Sequence, residues 1–521
     1  MDSVIIDGAN AVPLSIVEFS ANAKMENFTV LGNGTIAPAG IHTFNANIIV
    51  RNCKVTNVKY GISINRSTSL VENCFITNCY ETGIDDECGP DTCHSVYSDN
   101  LILTYNASTA VYFSYGGYPT FTSNIVIDEG GTRIGVDAYT SGLAIENNLI
   151  INYQNEGIAL YSMPGDTQNA VNNLVSNIPG VSSFTGGITT GTGYQTVLEN
   201  NVLKECSVGI FRNNTTIVRS DYNLFWKVQQ LMNGQPFVGD SNIVADPMFV
   251  NDTIPTANGS YDFHLQKYSP AIDKGDPSIL DVDGSRSDIG MFGGPLGQKY
   301  TYQDLAPKPP RNLTASMDSG LVHLKWNKNT EADLFRYRVY RDTVPDFIYD
   351  TTKIIAVLSD TVFYDDPPQK FISGNYYYKI TAIDSAYHQS PASEEAHINI
   401  TGIPEAPPIV VEHYNLLQNY PNPFNPSTTI PYRLKAPGYV KVMVYNLLGE
   451  QVKVLVNKYQ SAGYYEVLFH PTATERQSAE GKIEFETGYG DIVSGIYLYR
   501  IEVIGEGNIP VFTDMKKMML G

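Results

Sequence analysis

A short motif, an Asn or Cys followed by an alternating apolar pair, recurs through the first half of this chain: ENFTV, RNCKV, ENCFI, SDNLI, TSNIV, ENNLI, VNNLV, ENNVL and DYNLF. Its anchors are Asn27, Cys53, Cys74, Asn100, Asn124, Asn148, Asn173, Asn201 and Asn223, spaced 21 to 28 residues apart. A second marker follows at a nearly fixed offset: Gly61-Ile62, Gly83-Ile84, Gly157-Ile158, Gly187-Ile188 and Gly209-Ile210, with Ala110-Val111 and Gly135-Val136 as variants. Between the markers lie short strand-like segments and Asn/Gly turns, with no helical period. One such coil cannot bury its apolar side alone, whereas a stack of coils can. The pattern predicts a parallel β-solenoid with rungs about 4.8 Å apart. The anchor Asn side chains should then hydrogen-bond along the axis and satisfy turn backbone groups. Cys53 and Cys74 fall in the same column, so their thiols are expected to be neighbours.

Composition narrows the function. The chain has 521 residues, 17% of them charged, and a net charge of −20. No basic stripe is available to displace counterions from phosphates, which excludes a nucleic-acid partner and an anionic membrane surface. Tyrosines number 35 against two tryptophans, as suits an all-β chain. No apolar run is long enough to span a bilayer. The six cysteines are too few for a disulfide scaffold and lack the spacing of a zinc tetrad. Around ECGPDTC, a Cys88–Cys93 disulfide in an oxidising compartment and buried free thiols both remain open.

The strand after the Gly-Ile marker alternates, so its outward positions can be read directly. One outward column is Ser63, Asp85, Tyr112, Asp137, Ala159, Thr189 and Phe211; the next is Asn65, Glu87, Ser114, Tyr139, Tyr161 and Asn213. Asp86 and Arg212 interrupt the inward apolar pattern, which predicts that their strands end early. Asp85, Glu87 and Asp137 beside Tyr112, Tyr139 and Tyr161 offer what a sugar chain needs, acceptors for hydroxyls and flat rings for C–H faces. Asp85 and Asp137, two rungs apart, are about 10 Å from one another at the backbone. An inverting glycosidase separates its carboxyls by about 6.5–9.5 Å. A lyase would want a basic residue, and Arg133 and Arg212 lie only nearby. A catalytic pair, a glycan-binding face and a merely solubilising surface are all compatible with these columns. Asp85, Asp86, Glu87 and Asp91 are also hard oxygen ligands of the kind calcium takes. Asp281, Asp283 and Asp288 resemble half an EF-hand loop, but Phe292 stands where the bidentate Glu belongs, which favours an Asx-turn segment.

These repeats resemble right-handed parallel β-helix proteins of the pectate-lyase-like superfamily over residues 1–300. ADPMFVN, YDFHLQKYSPAIDKGDP and DVDGSRSDIGMFGG look like the end-piece of secreted members, and VIIDG resembles an early rung rather than an N-terminal cap. The resemblance therefore implies that further rungs, and a leader, precede Met1. After the Pro-rich linker QDLAPKPPRN, residues 306–401 resemble a fibronectin type III β-sandwich, with Trp326 as core tryptophan and Tyr376 as its tyrosine corner.

Residues 413–521 carry LLQNYPNPFNPSTTIPYRL, VYNLLGEQV, SAGYYEV, SGIYLYRIE and a terminal KKMML. Segment by segment these resemble the C-terminal sorting domain of type IX secretion cargo. That resemblance implies recognition by the type IX secretion machinery, passage through the periplasm, and an extracellular or cell-surface location. The prolines of the first segment are expected to hold an extended lead-in without ladder donors. The expected fold class is all-β, a right-handed parallel β-helix followed by two small β-sandwiches. The expected function is a surface protein that binds polysaccharide, or alternatively a polysaccharide hydrolase or lyase.

Overall fold

The computed structural model describes residues 4–8, 15–33, 39–89, 93–161, 167–180, 185–191, 195–213, 217–234, 237–254, 260–318, 321–365, 373–401, 413–425, 427–470, 475–477, 483–485, 494–505 and 509–521. It is built from strands, and the one helical turn among these residues is the 3-10 segment Thr351–Lys353. No described helix is long and apolar enough to cross a membrane.

The first half is the expected parallel β-solenoid. Each coil gives one strand to a 10-stranded sheet running from Ala23–Glu26 to Phe237–Val238, and further strands to a 19-stranded sheet that folds around the other faces. Pairing is parallel throughout these two sheets, and like stacks on like. Val55, Ile76, Ile102, Val126, Ile150, Val175, Leu203 and Phe225 form one inward column, and all are buried. The Gly-Ile column keeps the register read from the sequence, with Ile62, Ile84, Val111, Val136, Ile158, Ile188 and Ile210 in line.

The anchor column is a hydrogen-bonded ladder. Asn100, Asn124, Asn148, Asn173, Asn201 and Asn223 each donate through Nδ2 to the Oδ1 of the next, over 2.9–3.0 Å, and the ladder ends on Asn242. The same Oδ1 atoms accept the backbone N–H of the preceding anchor, beginning with Cys74. Each Nδ2 also reaches a carbonyl of the previous coil, such as Val71, Tyr97 or Phe121. Cys53 and Cys74 are buried, free and in mutual contact; their thiols point at the equivalent carbonyls of Met25 and Val50 from 3.7 Å.

The first anchor is corrected. Asn27 has φ 62°, like Asn52 and Asn73, which precede their anchors. The pairing Thr29↔Lys54 puts Phe28, not Asn27, in the column. Asn tolerates the left-handed region well, so an Asn in this motif can be either the turn residue or the anchor.

The turn column has its own role on the opposite side of the backbone. Asn147 donates to the carbonyls of Met291 and Gly293, Asn172 to those of Asp288 and Gly290, and Asn200 accepts from Asp276 N. These bonds fasten the segment after the last coil along the flank of the solenoid. Its Phe249, Phe263, Leu265, Ala271 and Ile289 pack on Leu149, Leu174, Val202 and Leu224.

Two antiparallel modules follow. In the first, a three-stranded and a four-stranded sheet enclose Val322, Leu324, Trp326, Tyr337, Val339, Tyr378, Ile380 and Ala382. The buried hydroxyl bond is made by Tyr378, which donates to Asp365 at 2.8 Å, while Tyr376 lies half-buried against the core. Tyr376 and Tyr378 are two residues apart on one strand, so both face the same core, Tyr378 the more deeply. In the second module a three-stranded and a four-stranded sheet enclose Val440, Val442, Val444, Tyr499, Ile501 and Phe469.

The proline-rich motif is not an extended lead-in. Tyr420 and Thr429 exchange backbone hydrogen bonds across a loop, and Phe424 at its tip is buried edge-on to Phe469. Phe424 N donates to Met519 O, Gly521 N donates back to Phe424 O, and Asn422 Oδ1 accepts from Met519 N. The loop is thus a strap that joins the first strand of this module to its last, Pro510–Leu520.

Removing one ladder rung should expose the cost of its unmet partners. Asn173→Ala orphans Asn148 and Asn201 groups in the buried column and is expected to lower unfolding stability by on the order of 3 kcal/mol. Urea unfolding followed by circular dichroism checks this; a loss within error of zero would show that the ladder is incidental.

Candidate functional site

The outward columns keep the register read from the sequence, though Ser114, Ala159, Thr189 and Phe211 within them are buried. Ser63, Asp85, Tyr112, Asp137, Ala159, Thr189 and Phe211 are successive register partners, as are Asn65, Glu87, Ser114 and Tyr139. Tyr161 continues the second column, donating its backbone N–H to Ala138 O. Tyr112 lies between Asp85 and Asp137, so the two acids are separated by two rungs, about 10 Å of backbone, with a phenol ring interposed.

Each acid instead has its own acidic neighbour. Asp85 receives the Ser63 hydroxyl at 3.4 Å and sits beside Glu87, which accepts from Asn65 Nδ2 at 3.0 Å. Burial, with the Glu87 charge adding to it, pushes the Asp85 carboxyl up to about 6. Asp137 is pushed up to about 7, first by burial and then by the charge of Glu156. Its Oδ1 is closed to solvent and has no hydrogen-bond partner among the described residues. Glu156 is 5% exposed, and burial raises its own carboxyl against the pull of Thr189 and Arg133. The sequence columns missed Glu156 because it precedes the Gly-Ile marker. The small Ala159 in the rung above Asp137 is the one signal that something else must cover that position.

The tyrosines are arranged as a stack. Tyr139 and Tyr161 lie 4.6 Å apart at 11°, and Tyr112 is tilted 59° to Tyr139 at 6.3 Å. A Cβ on Gly191 would stand 1.9 Å from the Tyr161 ring, so only glycine lets the ring lie there. With Tyr139 on one side and the Gly191 backbone on the other, Tyr161 offers ring edge to solvent rather than a free face.

Among the described residues, the strand divides the calcium candidates between its two sides. Asp86 does not end its strand: the strand Phe75–Glu87 continues through it, and its side chain turns inward, 4% exposed, to accept the Tyr97 hydroxyl at 2.7 Å. Burial pushes it up to about 7. Alternation therefore puts Asp86 on the opposite side of the strand from Asp85 and Glu87. Asp91 lies outside the described residues. A disulfide joins Cys88 and Cys93. Arg212, by contrast, does close its strand, Val208–Arg212. The Asp281 loop is an Asx-turn segment: Asp283 accepts Ser285 N and Oγ, and Asp281 accepts the backbone of Asp288 and Gly294.

A groove of about 710 Å³ lies elsewhere, where the flanking segment meets the solenoid, lined among others by Asp99, Ser123, Asp262 and His264. His264 Nδ1 is 2.6 Å from Asp262 Oδ1, and its ring stacks on Phe292 at 3.9 Å. No periodic signal marks this groove, because it forms between segments far apart in sequence.

The raised Asp137 carboxyl makes a prediction with a definite sign. A carboxyl whose pKa rises on folding binds more protons folded than unfolded, so stability falls as pH climbs from its ordinary 3.8 through about 7. Asp137→Asn, which cannot ionise, should match the wild-type melting temperature near about pH 4 and exceed it near about pH 8. Equal differences at both pH values would mean that Asp137 is not held in a desolvated setting.

A family model for the right handed beta helix region matches residues 39–203. No curated protein matches the sequence. Among solved structures, an Fn3-like protein from Clostridium thermocellum is similar at 25% identity, covering 19% of this chain and 98% of that one, with a TM-score of 0.16. The FN1-FN3 domains of chicken CNTN1 are similar at 10% identity, covering 43% and 71%, also at 0.16. Dimeric latent PorU from Porphyromonas gingivalis is similar at 15% identity, covering 43% and 21%, again at 0.16. Residues 39–203, the coils that carry every outward acid and tyrosine described above, are thus similar to a right-handed β-helix region.

Proposed function

We propose that this chain is a secreted or cell-surface protein whose solenoid binds a polysaccharide along the face formed by Asp85, Glu87, Tyr112, Asp137, Tyr139 and Tyr161. The observation that carries the reading is the register: four successive rungs set acids and phenols side by side over about 14 Å, the length of a few sugar rings. Stacked phenols and half-buried carboxyls offer hydroxyl-directed hydrogen bonds without a strong negative field, since two of the acids titrate near neutrality. Residues 306–401 read as a fibronectin type III spacer, supported by the Trp326 core and the Tyr378–Asp365 bond. Residues 413–521 read as a type IX sorting domain recognised by the secretion machinery. The strap formed by NYPNPF supports this, because it makes the motif a working part of one module with the last strand. The Cys88–Cys93 disulfide supports passage through an oxidising compartment.

One observation favours the alternative of a polysaccharide hydrolase or lyase. Asp137, pushed up to about 7 and with an unpartnered oxygen, has the protonation balance a general acid needs at neutral pH, and Glu156 is an adjacent carboxylate. A glycan array on the whole chain tests both readings, followed on each hit by assays for new reducing ends and for unsaturated, ultraviolet-absorbing products. Binding is expected, weakened by Tyr139→Ala; no binding to any glycan would sink both readings. Product that vanishes in Asp137→Asn would establish the enzyme, and binding without product would remove it. For export, residues 413–521 attached to a periplasmic reporter should carry it to the surface of a cell holding the type IX machinery. A reporter left in the periplasm would overturn that part.

A further inference from the structure

We propose that Asp304, Asp384 and His388 form a binding site for a divalent transition-metal ion, Zn²⁺ first among them, at the junction between the solenoid and the first antiparallel module. One ligand atom from each lies within 4.8 Å of the other two. His388 Nδ1 stands 3.0 Å from Asp384 Oδ2 and 3.7 Å from Asp304 Oδ1. Four-coordinate zinc with ligand bonds of about 2.1 Å spaces its ligands about 3.4 Å apart, which those two distances bracket.

The carboxylates are held as metal ligands are held. Asp384 is fully buried, and its other oxygen, Oδ1, accepts the backbone N–H of His388 at 2.8 Å. Asp304 is gripped through Oδ2 by Lys267 Nζ at 3.3 Å. Each acid therefore spends one oxygen on a supporting bond and turns the other toward the imidazole, the arrangement by which outer partners orient ligands. Hydrogen bonding alone leaves this set incomplete. Nδ1 can donate to one carboxylate, Asp384 is at bonding distance, and Asp304 Oδ1 is closed to solvent with no hydrogen-bond partner among the described residues. An ion bound to Nδ1 and both oxygens satisfies all three atoms. An imidazole with two carboxylates suits zinc and its neighbours rather than calcium, and the exposed side of His388 leaves a fourth position to water.

The site would fix a joint. Gln303, next to Asp304, forms a bridge with Gln266 and accepts Lys267 N at 2.9 Å, so the linker is already tied to the segment flanking the solenoid. Asp384 and His388 belong to the turn that closes the strand Gly374–Asp384 of the following module. A shared ion would lock one to the other.

The experiment is calorimetric titration of the full chain with Zn²⁺, alongside Asp304→Asn and His388→Ala. Both residues are partly exposed, and melting curves without metal are expected to be unchanged, so neither variant tests folding. One ion per wild-type chain is expected, with affinity at least about tenfold weaker in each variant. Zn²⁺ should also slow proteolytic cutting of the linker in the wild type alone. No wild-type binding, or the same binding in both variants, would overturn the proposal.

Discussion

The solenoid depends on one bond repeated coil after coil, the amide of an anchor Asn reaching the amide of the next. It does two things at once. It meets backbone groups at a turn that the sheets leave unpaired, and it fixes which residue of one coil lies over which residue of the next. A slip of one residue would break the ladder and turn every side chain to the wrong face. Where Cys53 and Cys74 replace Asn, the thiols keep the burial and the direction of the bond but only a weaker contact with the carbonyl. The coils of the last anchors keep the ladder and gain the flanking segment, which covers one face of their strands and binds the adjacent turn asparagines.

Because register is fixed, chemistry on the surface is arranged by column, and the short spacings along a strand and between rungs bring like charges together. Asp85, two residues from Glu87 on one strand, and Asp137, one rung from Glu156, are pushed toward neutrality chiefly by burial, with the neighbouring charge adding to it. Asp86 shows the same physics inside the wall, where the Tyr97 and Ser95 hydroxyls make a carboxyl tolerable. The tyrosine stack follows too, since rungs 4.8 Å apart impose nearly the spacing at which two rings lie face to face.

Most of the fold was legible because periodicity is a property of sequence alone. The outward columns from Ser63 to Phe211 needed only the Gly-Ile marker and alternation. What misled was chemical ambiguity at single positions. Asn27 could be anchor or turn residue, and Asp86 looked like a strand end but is an inward acid with a partner. What was invisible was anything made by distant segments. Asp304 meets His388 across a linker, and Phe424 closes on a strand nearly a hundred positions later. No local pattern announces such meetings.

The Asn ladder also bears on how such a protein can change its length. Every coil from Asn100 to Asn223 presents the same acceptor and the same donor to its neighbours, so a coil duplicated or lost whole within that run leaves both neighbours correctly matched. Insertion within a coil has no such neutrality unless it bulges out at a turn. The coil is therefore the natural unit of growth, and each duplication would lengthen the outer face by one step of about 4.8 Å while carrying its columns along intact. A lineage built this way could lengthen or shorten the stretch of ligand it spans without redesigning a single contact.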